Sequence, residues 1–425
     1  MRLQYVWIGE YRRLKELSVS IPYTEDDSVI PQLYGNLGLT LIAGLNGSGK
    51  TSLLSFVAQV FHNYQRFPER IKGSFGIAYR TSSGDLCLLY RQTEFGPISL
   101  YVPEEFDVII STNGAQNAGV TRETEPILPT FERYLPTTVI VSAFSLHGEY
   151  PIPRPSNFLG DRRVSSYDIK NLYGSNHYSF PSFSGAIARL MSAALRQAPE
   201  IDVLQQLLGG KFTGDVLWRK REFDSDDLGE WSKYSDSLEY AEKNGDLYLN
   251  DFRLLKEDGS FLTLGNMSSG QKILLIRLLS VLADLEDNAL VILEEPEMHL
   301  DPAWARQLIS VLLSFFKNYD AHFIIATHSF SLLNAVPSDC VLIARDGEFS
   351  APDFPTLLAN ESALAEHFYH AQPHYVEEQI LRFAETATRE ELSRVFSLLG
   401  ESSARYDVFK RLNLNPAEQN NAQGD

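Results

Sequence analysis

The sequence predicts an α/β fold on a mixed sheet, with an antiparallel β subdomain, a partly helical insertion and a helical C-terminal tail. Three observations predict it. An apolar run at 39–43 leads into a glycine-rich turn and then into a helix start at 52–58. Helix, strand, helix and strand patterns alternate at 271–284, 290–293, 303–316 and 323–326, the order of a parallel sheet covered by helices. Short β-rich stretches at 75–79, 86–90, 98–102 and 108–110 are separated by Gly, Pro and Asp, as in an antiparallel meander.

In chain order, residues 3–20 alternate apolar and polar positions around Gly9-Glu10-Tyr11-Arg12-Arg13, which predicts a β-hairpin. The helix after the glycine-rich turn extends to about residue 67, and 137–143 reads as a buried central strand. Residues 145–183, rich in Pro, Ser, Asn and Tyr, predict long irregular loops. Helical periodicity returns over 187–208, followed by an acidic, tryptophan-containing stretch at 215–235. Residues 246–264 read as paired strands around Glu257-Asp258-Gly259. After 352 the tail is mainly helical, and nothing beyond 416 carries an ordered pattern. With no internal repeat and no sustained heptads, the middle of the chain is not a coiled-coil arm. The expected organisation is a discontinuous nucleotide-binding domain at 1–143 and 246–350, an insertion of loops and helices at 144–245, and a helical region at 351–425 with a disordered end.

Composition narrows the function classes. At 425 residues with 44% hydrophobic and 12% aromatic content the chain can bury a sizeable core, and no apolar run reaches the ~18–20 residues that cross a bilayer. Cys87 and Cys340 are the only cysteines, too few for a disulfide framework or a cysteine zinc site, and the reading is a cytoplasmic protein. A net charge of −18 argues against coating nucleic acid with the whole surface, although a local basic groove stays open. The clusters Arg162-Arg163 and Arg219-Lys220-Arg221 read as solvated charge.

Gly44-Leu45-Asn46-Gly47-Ser48-Gly49-Lys50-Thr51 is a complete GxxxxGK[ST] loop in its strand–loop–helix context, and it predicts a bound nucleoside triphosphate. Its glycines let backbone N–H groups turn inward around phosphate oxygens, and the helix start through Ser52 adds partial positive charge. Lys50 would reach the β- and γ-phosphates, and the Thr51 hydroxyl would ligate Mg²⁺. Downstream, Leu290-Val291-Ile292-Leu293-Glu294-Glu295-Pro296 is an apolar strand ending in two carboxylates. Glu294 would hold the metal and Glu295 would orient and polarise the attacking water. Met267-Ser268-Ser269-Gly270-Gln271 precedes a helix and reads as an N-cap and anion site. His322-Phe323-Ile324-Ile325-Ala326-Thr327-His328 is an apolar strand delivering His328 at its end.

These segments resemble the ABC-type ATPases, which implies a P-loop NTPase of ABC-ATPase type. Ser268, Gly270 and Gln271 match positions of the LSGGQ signature, with Met267 and Ser269 replacing its leucine and first glycine. The resemblance implies that this segment contacts the γ-phosphate held by an opposite protomer, that His328 is the switch histidine, and that Asp301 is the inter-subunit aspartate. The opening hairpin and Asn46 resemble SMC-like and RecF-like members. Glu294-Glu295-Pro296-Glu297-Met298-His299-Leu300-Asp301-Pro302 resembles the EEPExHLxP stretch of overcoming-lysogenization-defect ATPases. That stretch also departs from the usual metal-binding aspartate, because Glu294 stands there. The family's glutamine loop has no glutamine where 142–145 would supply it.

Those relatives carry a TOPRIM nuclease with a paired Asp-x-Asp, and beyond His328 no such pair occurs. Asp224-Ser225-Asp226 lacks a preceding apolar strand and reads as a solvated loop, and His147, His177, His367, His370 and His374 are scattered rather than clustered. The resemblance therefore implies an ATP- and Mg²⁺-dependent switch that dimerises head to tail, or assembles further, and controls a separate effector such as a nuclease, as in Septu-, PARIS- or retron-type anti-phage systems. The alternatives are a RecF/SMC-like repair ATPase acting directly on DNA and, less favoured, the nucleotide-binding subunit of an ABC transporter. The transporter reading would need a shorter insertion and a full LSGGQ.

Overall fold

The computed structural model describes residues 1–23, 34–64, 67–103, 106–111, 133–143, 150, 164–168, 183–220, 229–369, 375–400 and 402–413. The chain forms two compact units, Met1–Pro355 and Thr356–Asp425.

The first unit opens with the expected hairpin, β1 (Arg2–Tyr11) and β2 (Leu14–Ser20), turning at Arg12 and Arg13. Strand β3 (Gly38–Gly44) runs into the phosphate loop, and helix α1 (Lys50–Asn63) follows. The meander then forms as β4 (Phe75–Arg80), β5 (Leu86–Arg91), β6 (Ile98–Val102) and β7 (Phe106–Ser111). With the hairpin it makes a six-stranded antiparallel sheet in the order β2-β1-β4-β5-β6-β7.

Strand β8 (Val139–Ala143) is followed by β9 (Val164–Asp168), which lies where the sequence predicts only loops. Because β9 pairs parallel to it, β8 is second from a sheet edge rather than central. The remainder of the expected 145–183 loop, apart from Tyr150 and Phe183, lies outside the described residues. So do Arg162-Arg163, Asp224-Ser225-Asp226, His147, His177, His370, His374, the side chain of His367 and the end of the tail.

The periodicity over 187–208 resolves into two helices, α2 (Ser184–Leu195) and α3 (Pro199–Leu208). Pro199 causes the break: a proline disfavours helical backbone at the preceding residue, and Ala198 is extended (φ −64°, ψ 139°). Strand β10 (Lys211–Lys220) starts before the acidic stretch and runs into it, β11 (Glu230–Lys233) lies within it, and α4 (Asp236–Asn244), β12 (Leu247–Leu255) and β13 (Phe261–Leu262) follow. They form a four-stranded antiparallel sheet, β11-β10-β12-β13, that draws strands from both sides of the boundary expected at 245/246.

The remaining elements follow the expected alternation: α5 (Ser269–Asp284), β14 (Ala289–Glu294), α6 (Pro302–Phe316), β15 (Ala321–Thr327), the short α7 (Phe330–Leu333), β16 (Val341–Arg345) and β17 (Glu348–Ser350). They complete a seven-stranded sheet, β17-β16-β3-β15-β14-β8-β9, parallel except for β17. Every residue of β3, β14 and β15 is buried, which is why these strands read as unbroken apolar runs instead of alternating.

Helix α1 lies between the two large sheets. Its Leu53, Phe56, Val57 and Val60 share one core with Val6, Ile8 and Phe75 of the antiparallel sheet and with Ile42, Val141, Ile292 and Ile324 of the parallel one. His322 on β15 ties the sheets together without carrying charge. Its Nδ1 accepts from the Leu3 N–H at 3.0 Å, its Nε2 lies 2.8 Å from Thr40 Oγ1, and complete burial holds its pKa far below the ordinary imidazole range. A phosphate loop between β3 and α1, on a largely parallel sheet flanked by an antiparallel subdomain, makes this an α/β P-loop NTPase fold. Among the described residues, no helix is long and apolar enough to cross a membrane.

The second unit contains α8 (Glu361–Tyr369), α9 (Tyr375–Thr386), α10 (Arg389–Leu398) and α11 (Ser403–Asn413). Ala384, Leu392 and Val408, from the last three, make its small core, and Thr388 caps α10 in a reciprocal box with Glu391.

Candidate active site

Parallel pairing sets the site. Strands β3, β15 and β14 are neighbours running in one direction, so the phosphate loop after β3, His328 after β15 and the carboxylates at the end of β14 emerge along one sheet edge. Ligands of open α/β sheets bind at such carboxyl ends.

The loop itself is fitted to the backbone. Gly44 is closed in by β16, where an added Cβ would stand 2.4 Å from the Ala344 carbonyl oxygen. Gly49 takes φ 107°, a conformation that L side chains rarely adopt, and it caps α1 without a side chain. The first N–H groups of α1, through Ser52, thus have no intrahelical acceptor and can face an anion. Ser48 Oγ is buried without a hydrogen-bond partner, whereas Asn46 and Gly47 are exposed at the rim. Lys50 is buried and folds back on the loop, donating to the carbonyls of Gly44 (2.7 Å) and Leu45 (3.1 Å). Burial lowers its pKa, an effect opposed by the charges of Glu295, Glu294 and Glu297. An orphaned hydroxyl, open amides and a buried ammonium together fit a triphosphate.

Thr51 Oγ1 hydrogen-bonds Glu294 Oε1, so the two side chains expected to hold Mg²⁺ already meet across the strands. Two hard oxygen donors, with waters and phosphate oxygens completing the shell, suit that ion. Glu295 follows in a left-handed conformation (φ 46°), and its N–H donates to the Ala326 carbonyl at 2.8 Å, fastening the turn to β15. Its Oε2 stands 2.6 Å from His328 Nδ1. Thus Lys50, Thr51, Glu294, Glu295 and His328, far apart in sequence, lie together.

Ser268, Gly270, Gln271 and Asp301 form a separate group. Ser268 caps α5: its hydroxyl accepts from the Gln271 N–H (3.3 Å), and Gln271 Oε1 accepts from the Ser268 N–H (2.9 Å). Gln271 Nε2 also donates to the Leu208 carbonyl at 3.2 Å, so both ends of this amide are engaged within the chain. Exposed Asp301 caps α6 by accepting from the Ala303 N–H at 2.9 Å. A Cβ on Gly270 would lie 3.6 Å from the His299 carbonyl oxygen, which places the turn at the start of α5 beside the approach to α6. Among the described residues, no hydrogen bond or ion pair joins these four residues to the phosphate loop.

Three residues escape the sequence reading. Arg277 is fully buried inside α5 and donates from Nη1 to the Ser142 carbonyl (3.1 Å) and from Nη2 to those of Glu294 (3.3 Å) and Glu295 (3.0 Å). Desolvation pulls its pKa down to about 9 against the favourable charges of Glu297, Glu294 and Glu295. It joins α5 to the carboxylate turn and takes Ser142 into the same network. The signal was available: a single arginine within the run Leu274-Leu275-Ile276-Arg277-Leu278-Leu279 needs partners if that run is buried. Arg13, in the hairpin turn, lies over the phosphate loop with Nη1 3.4 Å from the Gly47 carbonyl oxygen. Glu297 is a third carboxylate at the site, accepting a hydrogen bond from Thr327 Oγ1. Burial, reinforced by the nearby charge of Glu295, raises its pKa.

Residues 134–334 match the family model described as "AAA domain, putative AbiEii toxin, Type IV TA system", a span that includes the signature segment, both carboxylates and His328 but not the phosphate loop. Among solved structures, the SMC head domain from Thermotoga maritima is 12% identical, with 83% of this chain and 100% of that chain covered at a TM-score of 0.41. An Smc head with an extended coiled coil bound to the C-terminal domain of ScpA, from Pyrococcus furiosus, is 12% identical over 85% of this chain and 98% of that one (TM-score 0.41). An ATP-binding cassette of an ABC transporter is 13% identical over 83% and 90% (TM-score 0.33). Over 134–334 the chain is therefore similar to AAA-domain proteins.

Proposed function

We propose that the chain is an ATP-binding and ATP-hydrolysing switch that closes head to tail with a second copy around ATP and controls a separate effector, a nuclease in the simplest case, in bacterial anti-phage defence. The observation that carries hydrolysis is the Glu295–His328 pair at 2.6 Å, beside Thr51 hydrogen-bonded to Glu294. Mg²⁺ at Thr51 and Glu294 would neutralise phosphate charge. Lys50 and the α1 amides would hold the triphosphate, Glu295 would accept a proton from the attacking water, and His328 would hold Glu295 in place and sense the γ-phosphate.

Head-to-tail closure is supported by the separation of the site into two groups. Ser268, Gly270 and Asp301 are not bonded to their own phosphate loop, and the exposed start of α5 is suited to reach a neighbour's nucleotide. The family description, with its toxin system, suits a defence role better than transport.

The test is Glu295→Gln. The variant should bind MgATP and accumulate as a dimer by light scattering, while steady-state turnover drops about 100-fold or more. Normal hydrolysis by this variant would overturn the assignment of the base. Turnover per chain that is independent of concentration, in a strict monomer, would overturn the shared site. Duplex DNA binding with a steep salt dependence would instead favour direct action on DNA.

A further inference from the structure

The carboxylate turn contains more ligand chemistry than one catalytic base requires. Glu295, Glu297 and His328 each offer one donor atom, and these atoms all lie within 4.8 Å of one another. The spacing can contract onto a single ion with bonds of about 2.0–2.2 Å. Rigid elements deliver all three groups: Glu295 and Glu297 leave the end of β14, and His328 leaves the adjacent, parallel β15. One oxygen of Glu297 is held by Thr327 Oγ1, which itself accepts from the Ser329 N–H at 2.9 Å. Its other oxygen, Oε2, is buried without a hydrogen-bond partner. Such an oxygen is costly to leave unsatisfied, and the Thr327 hydrogen bond orients its carboxylate as outer-shell partners orient metal ligands.

We propose that Glu295, Glu297 and His328 form a binding site for a divalent transition-metal ion of the zinc class, separate from the Mg²⁺ position at Thr51 and Glu294, and that its occupation stops ATP turnover. An imidazole nitrogen with two carboxylates suits Zn²⁺ or Co²⁺, whereas the all-oxygen pair Thr51 and Glu294 suits Mg²⁺. A three-ligand zinc site keeps one open position for water. The ion and the attacking water compete for Glu295, so metal binding withdraws the base and its histidine together. The inhibitory half of this inference rests on the reading of Glu295 and His328 as catalytic, while the binding half does not.

The experiment uses the full chain, stripped of metal and free of nucleotide. Co²⁺ titration should give the visible absorption of tetrahedral cobalt at one equivalent per chain, displaced by Zn²⁺. Glu297→Gln, which keeps an acceptor for Thr327, and His328→Ala should each weaken Co²⁺ by about 10-fold or more. Zn²⁺ should inhibit wild-type turnover in excess Mg²⁺, with the inhibition shifted to higher Zn²⁺ in Glu297→Gln. Absence of the cobalt spectrum, or binding of undiminished affinity in both variants, overturns the site. A chain that binds Co²⁺ through these residues yet hydrolyses no ATP keeps the site and overturns the hydrolysis reading. An active ATPase that binds no Co²⁺ does the reverse.

Discussion

Helix α1 begins at Gly49, a left-handed residue with no side chain to cap it, whereas α5 begins at Ser268, whose hydroxyl and the Gln271 amide close a reciprocal cap. Both starts belong to glycine-containing motifs, and both present backbone amides. The first is left open at the floor of the sheet edge, with Lys50 and an unpartnered Ser48 hydroxyl beside it. The second is exposed and already satisfied. An open helix start is a standing anion site, while a capped one binds an anion only by exchanging partners. That asymmetry suits a composite site in which one half holds nucleotide and the other engages on closure.

The largest effect should come from the open end. Lys50→Ala removes the buried ammonium there, and affinity for a fluorescent ATP analogue should drop about 100-fold or more in MgATP competition. Retained affinity would mean that the α1 amides alone hold the triphosphate.

Next comes the link between the two starts. Arg277→Met keeps much of the volume but leaves the carbonyls of Ser142, Glu294 and Glu295 without their donor, and chemical denaturation should show a loss on the order of 3 kcal/mol. An unchanged midpoint would show that α5 is not fastened to the carboxylate turn through this side chain.

The approach to the capped end should be pH-sensitive. Asp251 Oδ1 accepts from the Leu264 N–H (2.9 Å) and the Phe252 N–H (2.7 Å), and burial raises its pKa from 3.8 to about 6. Below the unfolded value both states are protonated. As pH rises from about 4 to 6 the unfolded chain releases its proton first, so stability falls through that window by an amount on the order of 3 kcal/mol. Asp251→Asn keeps an acceptor without the charge. Its denaturation midpoint at pH 7 should equal or exceed wild type, and its pH 4–6 slope should be shallower.

The smallest structural effect separates cap from ligand. Ser268→Ala should cost about 1 kcal/mol of stability. Ser268→Asp keeps a cap but, in the proposed closed dimer, places negative charge toward the second copy's γ-phosphate, so melting should be nearly unchanged while turnover falls. Unchanged turnover in Ser268→Asp would assign Ser268 to capping alone.

Much of this site was legible from the chain itself. Local spacing announced the phosphate loop, the paired carboxylates after 290–293 and the histidine after 321–327, because each is a short motif on a strongly apolar strand. The strands β10 and β11 were not legible, since charge and tryptophan obscure the alternation of a small, partly exposed sheet. Strand β9 hid for a related reason, its Val164-Ser165-Ser166-Tyr167-Asp168 being polar and paired on one side only. The break before α3 was readable from Pro199, but amphipathic periodicity on both sides masked it.

By itself, the sequence determined the local motifs on which the proposed nucleotide chemistry rests, because amide-lined loops, strand-end carboxylates and N-caps are local consequences of residue type and spacing. Only the tertiary structure decided which of them meet. Parallel pairing of β3, β15 and β14 brings Lys50, Glu294, Glu295 and His328 to one edge, while among the described residues Ser268 and Asp301 make their hydrogen bonds elsewhere. The structure also gave Arg277 and Glu297 their roles, because a buried charge takes its meaning from partners far away in sequence.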